Sequence, residues 1–130
     1  MSDERNRAEG DSSLIAHRSS LVAGIELFND HQFWHAHEAW ERAWLVTSGD
    51  LRLFLQGLIQ LAAAYHHVQR RTYSGGVRLF DAALEKLSRV SAGFFGVDRS
   101  EAVARAAEHR QRIARGEHID AVDFPKLRYN

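Results

Sequence analysis

Apolar residues recur along most of this chain at spacings of three, four and seven, the pattern of helices that each bury one face. From about Ser13, the positions Leu14, Leu21, Ile25 and Phe28 mark a first helix. Asn29 and Asp30 interrupt it, and either side-chain oxygen can cap a second helix expected from His31 to Val46. Phe33, Ala36, His37, Trp40, Ala43 and Trp44 fall on one stripe of that helix, with His35 and Arg42 opposite. Thr47 to Asp50 reads as a turn whose Asp50 caps a third helix, from Leu51 to Arg71. This third helix is apolar around most of its circumference, with a narrow polar stripe of Gln56, Gln60 and His67 beside the arginines. Such a helix belongs in the middle of a bundle.

Tyr73-Ser74-Gly75-Gly76 is expected to end the third helix, and Val77, Phe80, Leu84 and Leu87 define a fourth. Ser91 to Val97 reads as a loop presenting the pair Phe94-Phe95 to solvent. Asp98 followed by Glu101 resembles a capping box opening a fifth helix, which Gly116 terminates. Its thin apolar stripe (Val103, Ala106, Ala107, Ile113) suggests peripheral packing. The expected fold is all-α: a single-domain bundle of about five helices around the central helix 51–71. Residues 1–12 are expected to form a mobile polar leader, 13–116 the bundle, and 117–130 an irregular tail with Phe124 and Leu127 docked on the body. The paired-helix rhythm does not recur often enough for a repeat array.

Composition narrows the function classes. The chain has 130 residues, 45% hydrophobic and 26% charged, with a formal net charge of zero and eight histidines. A neutral balance gives no reason to expect nucleic acid or an anionic membrane as partner. There is no cysteine, so thiolate metal sites, disulfides and cysteine nucleophiles are excluded. No signal-like segment opens the chain, and the longest strongly apolar run, Leu53 to Tyr65, is too short and too interrupted to span a bilayer. A cytoplasmic protein is the plain expectation.

The groups that can carry chemistry lie on helices two and three. His37 and Glu41 are one turn apart, an arrangement that suits a general base and its orienting carboxylate, or equally a core histidine satisfied by its neighbour. Glu38 and Glu41 can converge on one flank near Trp34, which makes His37, Glu38 and Glu41 the candidate ligands for a divalent metal. His-Glu-x-x-Glu lacks the third ligand of the zinc-protease motif, and no Glu-x-x-His pair of a di-iron bundle is present. Gln56, Gln60 and His67 either line a polar pocket facing His37 and Glu41 or form a hydrogen-bond network that fixes helix register. Tyr65-His66-His67 puts its two imidazoles on different faces, so at most one joins any given cluster. His31 and His35 read as a solvated pair. The arginines 70, 71 and 78 read as a basic patch around a turn, and the serines 12, 13, 19 and 20 lack the partners of a triad.

The run Phe28-Asn29 through His37-Glu38-Ala39-Trp40-Glu41 to Trp44, then Phe54-Leu55-Gln56-Gly57-Leu58-Ile59-Gln60-Leu61-Ala62, then Gly76 to Leu87, resembles the family catalogued as domain of unknown function 309. The resemblance covers about residues 22–90 and rests most heavily on Gln56 to Gln60. It implies a small all-helical protein of prokaryotic source and supplies no activity. Its motif positions here are His37, Glu38, Trp44, Gln56, Gly57 and Gln60. Gly57 also follows from the residues alone, since a mid-helix glycine costs about 1 kcal/mol and a close helix contact would compensate.

Two functions fit these observations. The first is a non-catalytic module binding a partner protein or a second copy of itself, suggested by three tryptophans and the Phe94-Phe95 pair. The alternative is a small-molecule or divalent-metal site, with hydrolase-like chemistry in its enzyme version, built between helices two and three from His37, Glu38, Glu41, Gln56, Gln60 and His67.

Overall fold

The computed structural model describes residues 17–130; the polar leader and Leu14 lie outside the described residues. Five helices follow one another: α1 over residues 17–29, α2 over Phe33–Trp44, α3 over Gly49–Arg70, α4 over Tyr73–Ser88 and α5 over Ser100–Ala114. The only sheet among the described residues is one short antiparallel ladder, β1 (Val97–Asp98) with β2 (Arg128–Tyr129), in which Val97 faces Tyr129. The chain is therefore an all-α single-domain bundle, with α3 packed between α2 and α4, and α5 against α4. Among the described residues no helix is long and apolar enough to cross a membrane.

The joints differ from the sequence reading in instructive ways. Asn29 does not cap α2. It stays in the last turn of α1 and turns its amide outward, donating from Nδ2 to the Leu127 carbonyl and accepting the Leu127 N–H at Oδ1, both at 2.8 Å. His31 makes the bend instead, in the left-handed region at φ 61°. Asp50 lies inside the first turn of α3, where its charge meets the positive end of the helix dipole, while Ser48 holds the cap position without a side-chain bond.

Tyr73 to Gly76 do not form a turn; they are the first residues of α4. The reversal is made by Arg71, left-handed at φ 59°, with the Thr72 N–H bonded back to the His67 carbonyl at 2.9 Å. Gly75 and Gly76 serve contact, since a Cβ on Gly75 would lie 2.9 Å from the His67 ring. Asp98 caps α5 from outside the helix by accepting the N–H and hydroxyl of Ser100, at 3.0 and 2.6 Å, and Glu101 pairs with Arg128 rather than closing a capping box. The tail is irregular apart from the 3-10 turn Ala121–Asp123 and β2, with Phe124 and Leu127 buried.

Two glycines allow helices to approach closely. Gly57 on α3 receives Leu87 of α4, whose Cδ2 would lie 2.8 Å from an added Cβ. Gly24 on α1 lies directly under the Trp40 indole, which crosses it to donate from Nε1 to the Leu21 carbonyl at 3.1 Å. Trp40 is fully buried and cannot swing aside. Gly24→Ala should therefore destabilise the fold by about 1–3 kcal/mol through overpacking, even though alanine raises helix propensity by about 1 kcal/mol. Urea unfolding monitored by tryptophan fluorescence measures the difference.

Candidate functional site at the α2–α3 seam

α2 and α3 run antiparallel, and two aromatic contacts fix their register. At one end the Arg52 guanidinium lies 3.9 Å above the Trp44 ring and donates to the carbonyls of Trp44 and Thr47 at 3.3 and 3.2 Å. At the other, Trp34 meets His66 at 5.4 Å. Between these ends, spacings of three and four put Trp34, His37, Glu41 and Trp44 on one stripe of α2. On α3, Gln56, Ile59, Gln60, Ala63, His66 and His67 are all half-buried.

His37 stacks on Trp34 almost in parallel, with ring centroids 4.9 Å apart and planes 8° from each other. Its Nδ1 lies 3.6 Å from Glu41 Oε2, an ion-pair distance too long for a hydrogen bond, and has no hydrogen-bond partner. Two more buried polar atoms on these helices are also unpartnered, Trp44 Nε1 and Gln60 Oε1. Buried polar groups are nearly always satisfied, so three such atoms on one pair of helices single out this seam.

The expected cluster is only partly assembled. Glu38 is exposed and faces His35 at 3.4 Å, away from His37. His67 leaves the seam: its Nδ1 lies 2.6 Å from the Thr72 hydroxyl and its ring covers Gly75, so it belongs to the α3–α4 joint. His66 takes its place beside Trp34. Its pKa is lowered, first by burial and then by the nearby charges of Arg70, His67 and His37. Among the described residues no three His, Asp or Glu side chains come close enough to hold a metal ion. His37, Glu38 and Glu41 thus do not converge as ligands.

Elsewhere, a cavity of about 440 Å³ lies between the end of α4 and the start of α5 and is lined mainly by Leu84, Leu87, Val90 and Val103 around Arg99. The Arg99 guanidinium is occupied in closing α4, donating to the carbonyls of Leu87, Val90 and Ser91. Phe94 and Phe95 are half-buried rather than presented to solvent: Phe94 packs edge-on against Phe54 at 5.3 Å, and Arg18 lies over Phe95.

His109 escaped the sequence reading. It is fully buried on the inner face of α5 with Ala102, Ala106 and Ile113, and its Nδ1 lies 2.8 Å from the Tyr65 hydroxyl. The periodicity carried the signal, since His109 sits between Ala106 and Ile113 at spacings of three and four, but the apolar count passed over an imidazole. Burial lowers the His109 pKa and pushes the Tyr65 phenol well up, so both groups are held neutral.

Residues 21–79 match the family model described as Domain of unknown function (DUF309). The chain is also similar to the crystal structure of the conserved hypothetical protein TTHA0068 from Thermus thermophilus, with 29% identity and a TM-score of 0.60 over 68% of this chain and 93% of that one. No curated protein matches the chain.

Two outcomes follow from the buried dyad. A histidine whose folded pKa lies below its unfolded value binds its proton more readily when unfolded, so its contribution to stability is intact above that unfolded pKa and is lost as pH falls below it. The thermal midpoint should drop on acidification from about pH 7.5 to about pH 5, and His109→Gln should flatten that slope. Tyr65→Phe, which strands the imidazole, should cost about 1–3 kcal/mol at neutral pH; calorimetry across pH measures both.

Proposed function

We propose that this protein is a non-catalytic helical docking module that associates with a second copy of itself, using the outer side of α2. The observation that carries this reading is the exposure of large apolar side chains at both ends of one helix: Trp34 is 50% exposed, Leu45 63% and Val46 71%. These are three of the five large hydrophobic residues that the described chain leaves exposed. The helix is about 18 Å long, so an interface centred on it falls at the small end of specific contacts and implies weak association. Neutral net charge leaves no overall repulsion between copies.

Sedimentation velocity from about 10 μM to about 1 mM should show a concentration-dependent rise in mean mass. Trp34→Ser should abolish the rise while the chain stays folded, with the thermal midpoint lowered only by loss of the His37 and His66 ring contacts. A wild-type chain that stays monomeric throughout this range overturns the reading.

A second reading is favoured by the unpartnered buried atoms His37 Nδ1, Trp44 Nε1 and Gln60 Oε1: a small polar ligand seated in the seam. A thermal-shift screen separates the two. Under the docking reading no divalent metal raises the midpoint, and Glu41→Gln changes stability by less than about 0.5 kcal/mol, as expected for a pair one turn apart with a half-exposed carboxylate and no hydrogen bond. A metal- or ligand-specific rise that both His37→Ala and Glu41→Gln remove would favour the seam instead.

A further inference from the structure

The outer face of α2 has a pattern that specifies how two copies would meet. Trp34, Glu38, Glu41 and Leu45 follow at spacings of four, three and four, and Arg42 comes one turn after Glu38, which keeps all five on one side of the helix. The last four line a single shallow depression of about 210 Å³. The face is apolar at its two ends and charged in its middle, with carboxylates towards Trp34 and a guanidinium towards Leu45. Arg42 sits one turn after Glu38, yet Glu38 faces His35, and Arg42 makes no ion pair among the described residues. Its charge is available to a carboxylate from outside.

An isologous contact requires every complementary pair of residues to share one midpoint along the helix, because a two-fold axis passes through it. The pairs on α2 meet that condition. Trp34 and Leu45 are centred at Ala39–Trp40, and Glu38 and Arg42 are centred at Trp40. Along the helix the first pair spans about 16 Å and the second about 6 Å, one nested inside the other.

Resting on the self-association reading above, we propose that α2 pairs antiparallel with α2 of a second copy across a two-fold axis passing beside Trp40. Trp34 of each copy lies on Leu45 and Val46 of the other, where the indole is covered by apolar surface. Glu38 of each copy faces Arg42 of the other, which gives two identical ion pairs. Glu41, next to the axis, meets Glu41 and Glu38 of the other copy as like charges, and the two Arg42 guanidinium groups lie at the levels that flank these four carboxylates. A parallel arrangement would set Trp34 on Trp34 but also Glu38 on Glu38 and Arg42 on Arg42, with repulsion at every charged level.

Charge exchange tests the pairing. By sedimentation equilibrium, Arg42→Glu and Glu38→Arg should each weaken the dimer about tenfold, and the double variant Glu38→Arg/Arg42→Glu should return it to within about threefold of wild type. Because the chain has no cysteine, Glu41→Cys supplies an independent readout: a short bis-maleimide should link two copies through it, while Ser88→Cys at the end of α4 should stay unlinked. A wild-type dimer that ignores the single exchanges, or that links through Ser88→Cys and not Glu41→Cys, overturns the α2 pairing and leaves self-association standing. A wild-type chain that is monomeric throughout overturns both.

Discussion

Tyr65 is the contact on which the rest of the bundle depends. It is fully buried at the middle of the fold, and its ring touches an aromatic residue from every other element packed around α3. Phe28 of α1 lies at 6.0 Å, Phe33 of α2 at 5.4 Å, Phe80 of α4 at 5.0 Å, His109 of α5 at 5.7 Å and Phe124 of the tail at 5.4 Å. Most of these meet edge-to-face or tilted, the geometries an aromatic quadrupole favours. Its hydroxyl supplies what a phenylalanine cannot, a polar partner for the one histidine fully buried among the described residues. A single side chain thus ties five segments together and sets the chemistry of the core's only imidazole among the described residues.

Around that centre, backbone polar groups and small residues define the spacing. Glycines at 24 and 57 let a tryptophan and a leucine from the neighbouring helices lie against bare backbone. Asn29 clamps Leu127 with two hydrogen bonds, and Arg99 gathers three carbonyls at the end of α4. These devices hold the tail and the α4–α5 joint in place without a hydrophobic stripe of their own. They help explain how α5, whose buried face is two alanines, a histidine and an isoleucine, stays attached to the body.

Helix periodicity made the bundle legible, and α3 stood out as central because it is apolar nearly all round. What the pattern could not resolve were the joints. Gly75-Gly76 reads as a turn, but only three-dimensional contact shows that His67 occupies the space a side chain would need. Asn29 looks like a cap because asparagine often is one, and its true partner lies 98 residues away. The candidate site was legible to the level of its helices, not its members. His37 and Gln60 were found, whereas His66 and His67 exchange roles because one residue along a helix rotates the side chain by about 100°. Phe94 and Phe95 read as exposed because they fall in a loop, whereas the count of three tryptophans does not show that Trp34 is the exposed one and Trp40 the fully buried one.

The seam and the outer face of α2 need not be rival features. An exposed tryptophan can adopt several rotamers, and fixing one on binding costs entropy. Here the indole of Trp34 is not left to choose: His37 lies flat against it and His66 meets it from α3. An imidazole kept half-buried for this purpose loses some of its own hydrogen bonding, which accounts for an unpartnered Nδ1 without requiring a ligand in the seam. On this account the polar cluster positions the docking residue, and the cost of leaving His37 unsatisfied is offset by a contact surface that is already ordered before a second copy arrives. Trp44 Nε1 and Gln60 Oε1 remain outside that explanation, and they are the atoms on which a seam-bound ligand would have to act.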